Sequence, residues 1–297
     1  NDNNVSVGDL FMSNNRMIIA NTARCGFVLK NGGTLNVTFT SISIAGTGQT
    51  AIDLNSCNGN MMILGGTISN FGDTMVNIKG GQMNATFNNS INHTDNFPLL
   101  TVTDHTIGIL TFQTGTISAT NGTGLQFNNA DGSYNFNGTT ILGGGDAGID
   151  IINGSSGSFS FNTNTSITNP SGTAFNVGGA STASITYSGN ITDNTGFAID
   201  IDDHDANNII FQTGTISSTG SGIRVQNCSG GIKTFANTSK SLNTGANNAV
   251  ILSSNLGATI DFTNGGLDID CTLGTGFGAT GGGTISVQGA GNSITTT

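Results

Sequence analysis

The segment IDIDDHDANN, residues 199–208, holds the densest group of side chains with catalytic chemistry in the chain. If it begins as a strand, Asp200 and Asp202 point outward on one face, about 6.5 to 7 Å apart by strand rise. His204 follows in the turn, and we expect Arg224, one repeat later, to stand directly beside Asp200. Two carboxylates at this distance, near a histidine and an arginine, suit acid/base cleavage of a glycosidic bond.

Two interpretations compete with catalysis. The first is a Ca²⁺ site, since hard cations prefer clustered oxygens; its ligands are Asp200, Asp202, Asp203 and Asp205. The second is a solvated turn with one exposed ion pair between Asp200 and Arg224, which contributes about 0 to 1 kcal/mol. We favour the second. The sequence then predicts no catalytic residue, no metal site and no cofactor, and the runner-up catalytic set is Asp200, Asp202, His204 and Arg224.

Composition limits the elements that can carry this segment. The 297 residues include 46 Gly, and Asn, Ser and Thr are abundant, so the chain is poor in helix formers. Its 17 Phe and regularly spaced Ile indicate a packed interior and not disorder. A net charge of −10 with seven Lys plus Arg leaves no basic stripe, so we expect neither nucleic acid nor anionic membrane as a partner.

The sequence indicates neither a membrane-spanning run nor a signal segment. No apolar run approaches the ~18 residues that cross a bilayer. Asn1 opens no charged-then-apolar signal segment, so we expect a mature or excised soluble chain without membrane insertion.

A repeat organises the chain. FQTGTISAT at residues 112–120 returns as FQTGTISST at 211–219. The underlying period is shorter, because two apolar residues separated by one outward residue recur every 23 to 28 residues and mark a short strand. These pairs are Phe27/Leu29, Ile52/Leu54, Val76/Ile78, Leu100/Val102, Leu125/Phe127, Ile149/Ile151, Phe175/Val177, Ile199/Ile201, Ile223/Val225, Val250/Leu252 and Phe277/Ala279. The outward residues between them are Asp53, Asn77, Thr101, Gln126, Asp150, Asn176, Asp200, Arg224, Ile251 and Gly278.

Two further columns follow in each repeat. The second is almost entirely aromatic and contains Phe39, Leu64, Phe87, Phe112, Phe136, Phe161, Tyr187, Phe211, Phe235, Phe262 and Val287. The third contains Ile42, Ile68, Ile91, Ile117, Ile141, Ile167, Ile191, Ile216, Lys240, Leu267 and Ile294. Gly, Asn, Asp and Ser lie between the columns as turn residues.

Units this short bury an apolar face only by stacking on one another. The sequence therefore predicts an all-β chain, a right-handed parallel β-helix formed as a single domain by residues 1–297. It has three short strands per coil and about eleven coils of 23–28 residues. Successive coils lie about 4.8 Å apart, which gives a rod about 50 Å long. The right hand follows from the preference of parallel crossover connections.

Rows of small hydroxyl residues flank the third column. They are Thr67/Ser69, Thr116/Ser118, Ser166/Thr168, Asn190/Thr192, Thr215/Ser217, Ser239/Ser241 and Ser293/Thr295. Such rows resemble those of ice-binding solenoids, which gives an alternative function. Thr and Ser are also ordinary exposed strand residues that hydrogen-bond across any stacked ladder.

The remaining polar residues give weaker signals. We expect His93 and His105 in polar loops without partners, and Lys240 at a bulged corner with its amine in solvent. The four cysteines show no metal-ligand spacing; they are Cys25, Cys57, Cys228 and Cys271.

Coils such as AGIDIINGSSGSFSFNTNTSITN, residues 147–169, resemble the passenger regions of bacterial autotransporters, haemagglutinin-type exoproteins and polymorphic outer-membrane proteins. The likeness covers nearly the whole chain, but it is one of repeat style. The Phe-x-x-Asn element of the polymorphic proteins occurs at Phe161 and is absent at Phe112 and Phe211. The resemblance implies a secreted or cell-surface rod, not an enzyme, that serves adhesion, scaffolding or fibre formation, with a glycan or host surface receptor as partner.

The repeat pattern extends to both ends of the sequence. We therefore expect copies to stack end to end, or the chain to be part of a longer one of the same fold. The residues behind this expectation are Val5, Val7, Leu10, Ile285, Val287 and Ile294. The two alternative functions are a polysaccharide-cleaving enzyme that uses the Asp200 region and an ice-binding protein that uses the Thr/Ser face.

Overall fold

Alternation of apolar and polar residues gives the described part of this chain 33 strands, most of them three to six residues long. The computed structural model describes residues 10–22, 26–30, 32–46, 48–69, 72–146 and 148–297, with the backbone alone for 10–22. The described residues contain no helix, and so none with the length and hydropathy that crossing a membrane requires.

The strands in chain order are β1 (Leu10–Thr22), β2 (Phe27–Leu29), β3 (Thr34–Gly46), β4 (Ile52–Asn55), β5 (Asn58–Ile63), β6 (Gly66–Ser69), β7 (Val76–Lys79), β8 (Gln82–Phe87), β9 (Ser90–His93), β10 (Leu100–Thr103), β11 (Ile109–Phe112), β12 (Thr116–Ala119), β13 (Leu125–Asn128), β14 (Ser133–Phe136), β15 (Thr139–Gly143), β16 (Ile149–Ile152), β17 (Ser158–Phe161), β18 (Thr165–Thr168), β19 (Phe175–Val177), β20 (Ser184–Tyr187), β21 (Asn190–Asp193), β22 (Phe197–Asp202), β23 (Ile209–Phe211), β24 (Thr215–Ser218), β25 (Ser221–Gln226), β26 (Ile232–Phe235), β27 (Ser239–Gly245), β28 (Val250–Ser253), β29 (Thr259–Phe262), β30 (Leu267–Cys271), β31 (Phe277–Thr280), β32 (Thr284–Val287) and β33 (Ser293–Thr296).

The strands stack as a solenoid. The first strand of each coil joins an 11-stranded parallel sheet that runs from β2 to β31, and the second and third strands join a 22-stranded sheet. Each strand pairs in parallel with its equivalents one coil before and one coil after, as β10 does with β7 and β13. The predicted parallel β-helix of about eleven coils is confirmed.

The first strand is predicted correctly in every coil. Its apolar pairs lie in unbroken register from Phe27 to Phe277. The side chains between them form the predicted outward row, in which Asp200 stands between Asn176 and Arg224.

The aromatic column forms the centre of the core. Phe136 and Phe161 stack with ring centroids 4.7 Å apart and planes inclined by 13°. One member is wrong: Ile63 and not Leu64 faces Phe87, and Leu64 is 44% exposed. Strand β5 ends in three consecutive apolar residues and Leu64 follows directly, so period-two alternation alone does not fix which of them faces inward.

The third column is wrong at three positions, because the residues that pair between coils there are not the ones that the column joins. Ile44, and not Ile42, is the partner of Ile68, since Ile42 pairs with Gly66. In the fifth coil Thr140 takes the place opposite Ile117.

Two later members of the third column are also misplaced. Leu142 points inward beside Ile167, while Ile141 is exposed. Ile294 continues the row of Ile269 and not that of Leu267.

Lys240 also departs from expectation, because its amine is buried and not in solvent. The side chain stands in the apolar ladder between Ile216 and Leu267. Its Nζ donates to the carbonyl oxygens of Asn237 at 2.8 Å, Thr263 at 3.1 Å and Gly265 at 2.7 Å. The ammonium therefore satisfies turn carbonyls that have no water available to them.

One sharp corner follows the first strand of each coil. The first residue of this corner has φ between 52° and 76°, the left-handed region that Gly, Asn and Asp adopt most readily. These corner residues are Ser56, Gly80, Asp104, Asn129, Asn153, Gly179, Asp203, Asn227, Ser254 and Gly281.

The chain turns inward just after this corner, and the side chains there are buried. We call them the inner corner column, which consists of Cys57, His105, Ala130, Ser155, Ser181, His204, Cys228 and Asn255. The corner thus carries outward residues such as Asp203 and inward residues such as His204 side by side in sequence.

Phe161→Ala tests the aromatic column. Phe161 is 1% exposed and contacts the rings of Phe136, Phe175 and Tyr187. The variant should lose about 3 to 5 kcal/mol of unfolding free energy, because a cavity remains where the ring was. Urea melts measure the loss, with Ser160→Ala, an outward neighbour, as control. A loss under about 1 kcal/mol contradicts the assignment of this column to the core.

Candidate functional site

Asp200 and Arg224 form a two-point ion pair on the outer wall. They face each other on β22 and β25. Arg224 donates from Nε to Oδ1 at 2.8 Å and from Nη2 to Oδ2 at 2.6 Å. Its guanidinium also lies 4.5 Å from the ring centroid of Phe197, a cation–π contact. Hydrogen bonding to Asp200 raises the pKa of Arg224.

The pairing is confirmed, but the expectation of an exposed pair is wrong. Asp200 is only 7% exposed, and the Arg224 side chain is 31% exposed. Both oxygens of Asp200 are occupied by the guanidinium, in the bidentate geometry that makes arginine–carboxylate pairs strong. The pair therefore joins two coils at a point largely shielded from water.

Asp202 is held in a similar way. Its Oδ2 accepts from Gln226 and its Oδ1 from Asn227, both at 2.8 Å. Both donors belong to the next coil.

The other two aspartates of the segment turn into the corner. Asp203 adopts φ +59°, and its Oδ2 accepts from the Ala180 amide at 3.0 Å. Asp205 Oδ1 accepts from the amide and hydroxyl of Ser229, and these hydrogen bonds lower the pKa of Asp205. Within the described ranges, no three His, Cys, Asp or Glu side chains come together as metal ligands.

His204 points into the interior of the solenoid, and not outward like Asp202. It is fully buried in the inner corner column, where its Nε2–H donates to the Ala183 carbonyl at 2.9 Å and its Nδ1 has no partner. Burial, and then the charge of Lys233, lower its pKa to about 4. The structure therefore brings Asp200, Asp202 and Arg224 together on the outer wall and places His204 in the interior.

Lys233 is a residue of this region that the sequence analysis missed. It is fully buried between Ile209 and Ile260 in an inward ladder. Its Nζ donates to the carbonyls of His204, at 3.0 Å, and Gly230. Burial lowers its pKa. Counting back two residues from the buried Phe235 would have placed this lysine inward.

His105 does not stand in a loop without partners. The Tyr134 hydroxyl accepts from the Gly132 amide at 3.1 Å and donates to His105 Nδ1 at 3.0 Å. His105 Nε2–H donates to the Met83 carbonyl at 3.0 Å. These bonds fit a neutral ring, and burial lowers its pKa.

His93 is likewise buried, as the last residue of β9. Neither ring nitrogen has a hydrogen-bond partner, and burial lowers the pKa of His93, while the charges of Asp95 and Asp73 oppose that lowering.

The three described cysteines, Cys57, Cys228 and Cys271, are free and buried. Burial raises the pKa of Cys57 to about 11. Cys25 lies outside the described residues.

Hydrogen bonds between coils recur along the outward row. Asp150 accepts from Gln126 at 2.8 Å and from Asn176 at 2.6 Å, one donor from each neighbouring coil. Burial raises the pKa of Asp150, and these two bonds oppose that rise. Asp53 likewise accepts from Asn77 and pairs with Lys30. Side-chain hydrogen bonds of this row therefore join neighbouring coils in three stretches, between β4 and β7, from β13 to β19 and between β22 and β25. We call these contacts the seam.

The Thr/Ser rows beside the third column are less regular than the sequence suggested. Ile141 stands between Ser118 and Ser166, and Asp268 stands between Ser241 and Ser293. The rows of hydroxyl residues are therefore interrupted at Ile141 and at Asp268.

Comparison of the chain with protein-family models, with curated proteins and with solved structures finds no match.

Asp200→Asn tests the seam. The guanidinium of Arg224 would then face a neutral amide, and the variant should lose about 1 to 3 kcal/mol of unfolding free energy in urea melts. Asp202→Asn is the control, because an amide oxygen still accepts there; it should lose less than about 1 kcal/mol. A loss of unfolding free energy under about 1 kcal/mol in both variants would mean that Asp200 is no more than a solvated surface residue.

Acid should destabilise the chain through its buried histidines. Burial lowers the pKa of His93, His105 and His204 below the ordinary value of 6.5, to about 4 for His204. Between these values the unfolded chain binds more protons than the folded chain, so stability falls as pH falls from 6.5 toward 4. Melting temperature across this pH range measures the effect.

His204→Asn provides the matched comparison, because Asn255 occupies the same corner position two coils further on. The melting temperature of the His204→Asn variant should depend less on pH than that of the wild type. Burial raises the pKa of Asp150 and Asp193, which acts in the opposite sense in both proteins. Identical pH profiles for the two proteins would exclude a contribution from His204.

Proposed function

We propose that this chain is an extracellular or cell-surface structural β-helix that serves adhesion, scaffolding or fibre formation, and that it is not an enzyme. The observation that carries the proposal is the seam of hydrogen bonds between coils on the outer wall. Asp53, Asp150, Asp200 and Asp202 all bond side chains from neighbouring coils. Side chains used in this way stiffen a rod.

The surface composition supports a place outside the cell. Only 8% of the residues are charged, and the outward rows are mostly Asn, Ser and Thr. Seven Lys plus Arg offer little to phosphates, so nucleic acid and membrane insertion form no part of the proposal. A glycan or a host surface receptor is the proposed partner of the faces.

End-to-end contact is the proposed mode of assembly. The last coil, β31 to β33, continues the buried ladders, but its side chains are uncovered. Val287 is 44% exposed and Ile294 is 57% exposed, while Phe277 and Ile285 are partly buried. A further coil of the same fold, from a second copy or from a longer chain, would cover these side chains and pair the strand edges. Such a head-to-tail contact is heterologous and propagates as a filament.

The second candidate function is cleavage of a polysaccharide. It is favoured by Asp200 and Asp202 standing outward on one strand with Arg224 beside them. Release of reducing ends from acidic and neutral polysaccharides, lost in Asp200→Asn with Asp202→Asn, would support this candidate against the structural role.

Light scattering across a concentration series tests assembly. The scattering mass should grow with concentration, and Val287→Lys with Ile294→Lys should abolish the growth, because charge on a strand edge opposes pairing. Ile107→Lys, at a 56% exposed position before β11, is the control and should assemble like the wild type. A wild-type chain that stays monomeric at high micromolar concentration contradicts the filament.

A further inference from the structure

A shallow groove of about 290 Å³ crosses the outer face of the second strands in coils one to three. Two outward rows line it. One consists of Asn36, Asn60 and Asn84 on β3, β5 and β8, and the other of Thr38, Met62 and Thr86 on the same strands.

Hydrogen bonds fix the three amides in one orientation. Asn60 Nδ2 donates to Asn36 Oδ1 at 3.2 Å, and Asn84 Nδ2 donates to Asn60 Oδ1 at 3.1 Å. The Ile109 amide donates to Asn84 Oδ1 at 2.8 Å and ends the ladder. A primary amide has two N–H groups and two lone pairs, so each amide keeps bonding capacity beyond the ladder. This capacity is preorganised, and a ligand that uses it need not order the side chains first.

The described residues that line the groove include no charged side chain. Their most exposed apolar side chain is Met62, which is 41% exposed between two threonines. A charged ligand would find no counter-charge among these described residues, and a purely apolar ligand would cover the amides without bonding them. The lining suits a ligand that is neutral, rich in groups that both donate and accept, and apolar on one face.

We propose that this groove binds a neutral pyranose residue of a glycan, with hydroxyls on the asparagine row and a C–H face on Met62. The inference rests on the proposed adhesive role and names the chemical class of partner. The rows continue into later coils, but there the asparagines give way to Ile109, Ser133 and Ser158, so the site belongs to the first three coils.

The test is a titration of the intact chain with cellohexaose, chitohexaose and maltohexaose, followed by NMR of the asparagine side-chain amides. We expect at least one sugar to bind with a Kd of about 1 mM or tighter and to shift the groove amides. Two groove variants test the site. Met62→Thr extends the row of Thr38 and Thr86, and Asn60→Ala removes the middle amide. Each should weaken binding about tenfold at an unchanged melting temperature. Asn135→Ala, at an outward asparagine of β14 outside the groove, should bind like the wild type.

Three outcomes would overturn the site. They are no shift with any of the three sugars, shifts unaffected by both groove variants, and binding of polygalacturonate alone that salt abolishes. A chain that forms filaments but binds none of the sugars contradicts the glycan site in the groove and leaves the proposed structural role intact. A chain that binds the sugar and stays monomeric contradicts the filament and not the groove.

Discussion

The repeat of parallel strands about 4.8 Å apart is the constraint on which the rest of this structure depends. Each side chain stands against its equivalent in the next coil, so every column must consist of residues that tolerate close stacking. Rings meet this condition by lying nearly parallel, as Phe211 and Phe235 do at 2°. Aspartates meet this condition by alternating along a column with residues that are not acidic. In the described strand pairings no aspartate faces another, and Asp150 stands between Gln126 and Asn176. Like charges directly opposite would repel, so the spacing selects the mixed seam.

The same constraint explains how buried polar atoms inside the rod find hydrogen-bond partners. Coils must turn sharply, and the turns direct carbonyl groups inward where water is excluded. Long side chains from the ladders reach these carbonyls: Lys240 bonds three of them, and Lys233 bonds two. Tyr187 reaches the Asn190 carbonyl in the same way, through its hydroxyl. A buried cation without a carboxylate is costly, and here backbone oxygens on neighbouring coils provide the compensation.

Much of the fold could be predicted because period-two alternation and a constant repeat length act together. The first strand was predicted in every coil because its turn length hardly varies. The third strand was not, since Thr140 stands opposite Ile117 while Leu142 stands opposite Ile167, which alternation counted from isoleucines does not show. In the candidate site the pairing of Asp200 with Arg224 was predictable from the repeat. The inward direction of His204 was not, because the left-handed residue Asp203 breaks the alternation. Aligning the residues that follow each corner would have revealed this column.

The distinction between a stiffening row and a catalytic row depends on which atoms remain available. An acid that protonates or attacks a sugar must contact it, and both oxygens of Asp200 already bond the Arg224 guanidinium. A substrate hydroxyl would have to displace a charge-assisted pair that is largely shielded from water. Asp202 faces a weaker competitor, since its donors Gln226 and Asn227 are neutral. The asparagine ladder differs from both, because a primary amide that stacks still has N–H groups and lone pairs to offer. Where carboxylates hold the coils together, the stacked amides are the side chains that retain hydrogen-bonding capacity, which is why we propose a neutral partner for them and not a charged one.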